Sequence, residues 1–180
     1  LLQEILMHNK IISKAIGFFS VALLLFGISA EAQFSQARLQ ATGLTCALCS
    51  KSIHQALGKL PFIESVQPDL KSSSFDLRFK TGLPVSVASL RTAVEDAGFF
   101  IGDLTLQIER PLSEKETADG SFIDRGVTYQ IEGKLDEKKM VQVIDAGFMP
   151  DKEFKRLASR YKYLTQAKSA QSMVHLLAKK

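Results

Sequence analysis

The 180 residues contain no tryptophan, two cysteines, three histidines and five prolines. With so few histidines the chain offers no Ser/His/Asp set for hydrolysis, and no glycine-rich run has the spacing of a phosphate loop. The net charge of +4 is too small to argue for nucleic acid as a partner. No apolar run reaches the roughly 20 residues needed to span a bilayer. The two cysteines, Cys46 and Cys49, are too close to staple the chain. A disulfide between them would close a very small loop and add little stability. The absences leave a globular non-enzyme whose cysteine pair is available for metal binding or redox chemistry.

The first 32 residues read as a signal peptide. Lys10 and Lys14 precede an apolar run over residues 16–28, and Ala30-Glu31-Ala32 supplies small residues at the two positions a signal peptidase reads. Met7 is the expected start and Gln33 the expected first residue of the mature chain. No cysteine lies near this point, which argues against a lipid anchor. The mature protein is therefore expected in the periplasm or secreted, an oxidising setting for Cys46 and Cys49.

Residues 34–42 alternate as a strand does. Ile53, Leu57 and Leu60 then recur at helical spacing until Pro61 stops the helix. Residues 63–69 read as a strand carrying Pro68, which a sheet tolerates at its edge. Phe75, Leu77 and Phe79 alternate in another strand. Val87, Leu90, Val94 and Ala97 mark a second helix ending at Gly98. Leu104, Leu106 and Ile108 mark the next strand. The order β-α-β-β-α-β is the ferredoxin-like, α+β arrangement.

Residues 111–120 read as a polar linker, and 121–180 as a C-terminal extension. In the extension, Val127, Tyr129 and Ile131 alternate, as do Val141 and Val143. These two runs suggest a β-hairpin with Gly133 and Asp136 in its turn, although 135–146 also fits a helix. Pro150-Asp151 opens a helix with Phe154, Leu157, Tyr161 and Leu164 on one face. Residues 33–150 carry a net charge of −2 and residues 151–180 a net +6, so the positive charge lies in the last segment. A basic amphipathic helix of this kind either packs on the hairpin or docks an acidic partner or anionic membrane. Asp96-Ala97-Gly98-Phe99 recurs as Asp145-Ala146-Gly147-Phe148, an echo that the differing periodicity around it attributes to chance.

Gly43-Leu44-Thr45-Cys46-Ala47-Leu48-Cys49 sits at a strand-to-helix junction and resembles the signature of heavy-metal-associated domains. That family includes copper chaperones, metal-binding modules of copper pumps and the periplasmic mercury-binding protein. The likeness extends through Ile53, Ala56-Leu57 and Leu60-Pro61, through Val66 and Asp69, and through Ala93-Val94-Glu95-Asp96-Ala97-Gly98-Phe99. It covers residues 34–108 and implies a metal-binding domain over 33–110. Cys46 and Cys49 are the implied metal ligands. Their three-residue offset places both sulfurs on one side of the helix entrance, where the helix dipole favours negative charge.

Two converging thiolates suit a soft ion, above all Cu(I), with Hg(II) and Zn(II) as further candidates. Zinc prefers four ligands, and Thr45 stands where zinc-selective relatives often have an acid. The implied role is transport, transfer or detoxification, with a membrane metal transporter or another metal carrier as partner. Leu44 replaces the family's usual methionine and should serve for packing. Phe62 replaces a common glycine. His54 reads as a surface residue, Phe99 as packing under the metal loop, and Met173 and His175 as part of a solvated tail. The alternatives are a thiol–disulfide oxidoreductase, from which the thioredoxin context is missing, and a partner-binding module with oxidised thiols.

Overall fold

The alternation of residues 34–42 becomes strand β1, Phe34–Thr42, with Ala37, Leu39 and Ala41 buried and Gln36, Arg38 and Gln40 facing solvent. The computed structural model describes residues 33–44, 47–161, 164 and 173–179. Residues 1–32, read above as a signal peptide, and Thr45 and Cys46 lie outside the described residues.

Helix α1, Ala47–Gly58, buries Ile53 and Leu57, one turn apart on one face. Strand β2, Ile63–Asp69, and strand β3, Ser74–Phe79, form a hairpin. Helix α2, Val87–Asp96, is capped by Ser86, whose hydroxyl accepts the Ser89 N–H at 3.1 Å. It ends at Gly98, which takes the left-handed conformation (φ 88°) that favours glycine at this position. Strand β4, Phe100–Ile108, returns beside β1. Pairing of β1 with both β3 and β4 is antiparallel. The ferredoxin-like unit is complete at this point, with Pro68 in edge strand β2.

The extension continues the same sheet. Residues 111–120, read above as a linker, contain the short helix α3, Glu114–Asp119. Ser113 and Glu116 cap it reciprocally, and the Ser113 N–H and the Arg110 guanidinium hold the Glu116 carboxyl down at about 2. Strands β5, Ser121–Asp124, and β6, Val127–Glu132, then form a hairpin about Arg125-Gly126. After β7, Met140–Val143, comes helix α4, Asp151–Arg160, and finally β8, Met173–Ala178. The order across the sheet is β2-β3-β1-β4-β7-β8-β6-β5.

This corrects two expectations. The runs at 127–131 and 141–143 are both strands, but they do not pair as a hairpin. Strand β8 lies between them, parallel to β6 and antiparallel to β7. Met173 and His175 accordingly belong to an internal strand and not to a solvated tail. A strand flanked on both sides reads apolar throughout, and a short one next to lysines is easily mistaken for a tail.

Two apolar clusters result. The main one joins Leu39, Ile53, Phe75, Leu90 and Leu104 of the ferredoxin-like unit to Phe122, Tyr129, Val141 and Leu176 of the extension. The second gathers Ile144, Met149, Ala158 and Leu164, with Phe154, Leu157, Tyr161 and Leu177 against it. Val143 and Leu176 lie in the first cluster and their neighbours Ile144 and Leu177 in the second. By strand alternation α4 covers the sheet face opposite α1 and α2. Leu164 joins this cluster from beyond the helix, which ends at Arg160.

The sheet also bends strongly. Three strands separate β1 from β6, so a flat sheet would hold them about 19 Å apart at ~4.8 Å per strand. Yet the Phe34 and Tyr129 rings meet edge to face at 5.4 Å, and Phe122 stacks on Tyr129 at 4.7 Å. Gln33 closes the contact: its Nε2 donates to Tyr129 Oη at 3.0 Å and to the Val85 carbonyl at 3.1 Å. The tetrapeptide echo is a shared turn and not a repeated domain. Gly98 and Gly147 both have φ 88°, but one ends a helix and the other follows a strand.

Candidate metal centre

One end of the ferredoxin-like unit is built from three loops. The first leaves β1 at Thr42 and enters α1 at Ala47. Gly43 turns the chain there with φ 83°, a conformation that is strained for a residue with a Cβ. The second is the β2–β3 turn, tied to β1 where the Ala41 N–H donates to the Ser73 carbonyl at 3.0 Å. Arg38 bridges Asp69 and Asp76 at 3.2 Å and Ser74 at 2.9 Å within this turn. The Ser72 hydroxyl beside Asp69 holds that carboxyl below its usual range. The third is the α2–β4 connection, where the Phe99 N–H donates to the Val94 carbonyl at 3.1 Å.

Cys49 is half-buried in the first turn of α1. Cys46 lies outside the described residues, so the pair is seen from one side. Leu44 packs against the main core, as does Phe99. The Phe99 ring lies 3.8 Å from where a Cβ on Gly43 would stand. Leu44 and Phe99 thus act as the floor of the loop, and Leu44 fills its place by packing, as the sequence suggests. His54 is exposed on α1. Among the described residues no group of three or more His, Cys, Asp or Glu gathers to hold a metal.

His175 belongs to β8 in the extension. It is 2% exposed. Its backbone N–H donates to Asp145 Oδ2 at 2.9 Å, and its Nδ1 lies 2.7 Å from Asp145 Oδ1. No local pattern announces this pair, because its members are 30 residues apart. A second tie, between α2 and the extension, was equally hidden: Arg91 donates to the Ala146 carbonyl at 3.3 Å and lies over the Phe148 ring.

The heavy-metal-associated domain family matches residues 38–100. The copper chaperone CopZ of Bacillus subtilis is 31% identical over 64 residues, which are 36% of this chain and 91% of that protein. A probable copper-exporting P-type ATPase of Archaeoglobus fulgidus is 32% identical over 65 residues. This chain spans 8% of the length of that ATPase. Among solved structures, a CopZ metallochaperone aligns with a TM-score of 0.35 at 24% identity, over 37% of this chain and 98% of that one.

Proposed function

Because the chain belongs to the heavy-metal-associated domain family, we propose that it is an exported metal carrier that holds Cu(I) between the thiolates of Cys46 and Cys49. The observation that carries this reading is the position of Cys49. It stands in the first turn of α1, directly after a loop floored by Leu44 and Phe99, within the segment matched to the heavy-metal-associated domain. The helix entrance favours anionic ligands there. Two thiolates satisfy a soft ion of low coordination, which places Cu(I) ahead of Hg(II) and Zn(II). The role is transfer to a membrane metal transporter or to another carrier.

Export rests on the signal peptide of residues 1–32. Gln33 is 3% exposed and bonded into the core, which supports a mature chain that retains it. N-terminal sequencing of the mature protein is expected to begin at Gln33; a start at Met7 would overturn export by this signal. The metal site is tested by titrating the reduced protein with Cu(I) in competition with a Cu(I) chelator. Cys46→Ser and Cys49→Ser should each lose more than the roughly 100-fold that removal of a supporting group costs. Both should keep the wild-type circular dichroism spectrum. Wild-type affinity in either variant would end the assignment.

A further inference from the structure

Helix α4 has two faces with different uses. Phe154, Leu157 and Ala158 lie against the second apolar cluster. At about 100° per residue these three occupy roughly 100° of the helix circumference. Lys152, Lys155, Arg156 and Arg160 are all exposed and occupy the opposite side, within about 140° of arc. Only Ser159, also exposed, stands among them. The two acids of the helix, Asp151 and Glu153, fall outside that arc, one at each flank. Arg156 reaches Glu153 at 3.8 Å, and Arg160 lies over the Tyr161 ring at 5.5 Å. Among the described residues Lys152 and Lys155 have no ion pair. Packing and docking, set as alternatives by the sequence, are therefore compatible, because they use opposite faces.

We infer that the stripe Lys152, Lys155, Arg156 and Arg160 adsorbs the protein to the headgroups of an anionic bilayer, without insertion. Insertion of a basic amphipathic helix needs its apolar face, and here the sheet occupies that face. Among the described residues no helix is long and apolar enough to cross a membrane. A protein partner is held by aromatic or apolar anchors in a desolvated centre, and the stripe offers none. A nucleic-acid groove encloses the flanks of a helix, where Asp151 and Glu153 stand. A flat headgroup surface meets only the outward cations, which attract it through charge alone. The charge asymmetry of the chain, −2 over residues 33–150 and +6 over 151–180, turns this helix toward a negative surface. The inference is independent of the metal reading.

Mature protein, residues 33–180, is tested by co-sedimentation with vesicles of phosphatidylcholine alone or mixed with phosphatidylglycerol. It should bind the mixed vesicles and not the neutral ones. Binding should fall more than about tenfold between low and high salt, as exposed charges are screened. Removing a cation should cost about fivefold in partitioning, so Lys152→Gln/Lys155→Gln should bind about 25-fold more weakly. The control Lys59→Gln/Lys80→Gln removes the same charge from exposed positions of the ferredoxin-like unit and should lose less than about threefold. All three proteins should share one circular dichroism spectrum. Equal losses in the two variants would make net charge the cause and overturn the stripe, as would wild-type binding by Lys152→Gln/Lys155→Gln. Binding to neutral vesicles, or binding insensitive to salt, would overturn adsorption by charge. Preference for soluble polyglutamate or duplex DNA over vesicles of equal total charge would assign the stripe to an acidic polymer and overturn the bilayer.

Discussion

Tyr129 connects the chemistry of one side chain to the stability of the whole chain. Burial pushes its phenol up to about 12 from an ordinary value near 10, against the Gln33 donor, which pulls it down. The folded state thus holds the proton more tightly than the unfolded state. The stabilisation from this group is complete below pH 10 and declines as the pH rises through 12. The loss amounts to roughly 2–3 kcal/mol. Chemical unfolding at a series of pH values should show this decline in the wild type, and Tyr129→Phe should lack it. A parallel decline in both would assign the alkaline loss elsewhere. The cysteines make a second prediction at this scale. Metal-free protein left in air should form the Cys46–Cys49 disulfide and lose Cu(I) binding until reduced, because the ligands must be thiolates. Thiol titration checks it, and two titratable thiols persisting after days of aeration would count against it.

Strand β8 is tied into the sheet by a side chain as well as by backbone pairing on both sides. It enters the sheet between β7 and β6, and the Asp145 carboxylate receives both the His175 backbone N–H and the side-chain Nδ1. Truncation by Asp145→Ala leaves a buried donor without its acceptor, at a cost of about 1–3 kcal/mol. The urea midpoint should fall accordingly, and amide exchange should rise first in β8. An unchanged midpoint would show that the pair contributes nothing to holding the strand. Helix α4 behaves differently. Its attachment is apolar and spread over Phe154, Leu157 and Ala158, so no single polar contact decides it.

At the scale of the molecule, the domain boundary is the open proposal. The β-α-β-β-α-β unit supplies most of the main core, with Leu39, Ile53, Leu57, Phe75, Leu90 and Leu104 among its side chains, and the extension adds the rest. A fragment of residues 33–110 is therefore expected to fold and to bind Cu(I) with the affinity of the mature chain. It should also melt at a lower temperature. It loses the Tyr129 contact on Phe34 and uncovers the edge of β4 that β7 occupies. An exposed strand edge also invites association. Circular dichroism melts and Cu(I) competition on the fragment test this; an unfolded fragment would make the extension part of the metal domain.

The sequence alone determined what rests on local periodicity and local chemistry. Alternation marks β1, β3 and β4, helical spacing marks α1, α2 and α4, and Gly43 to Cys49 marks the candidate metal loop together with its packing residue Leu44. These signals need only neighbours within a turn or a strand, so they are written where they act. The tertiary structure decided what rests on partners far apart in the chain. Ile131 pairs with Leu176, Arg91 reaches Ala146, and Gln33 reaches Tyr129. It turned a supposed tail into an internal strand and joined the extension to the metal-binding unit in one sheet. The physical reason is that pairing and packing free energies depend on distance in space, which no local pattern of side chains encodes.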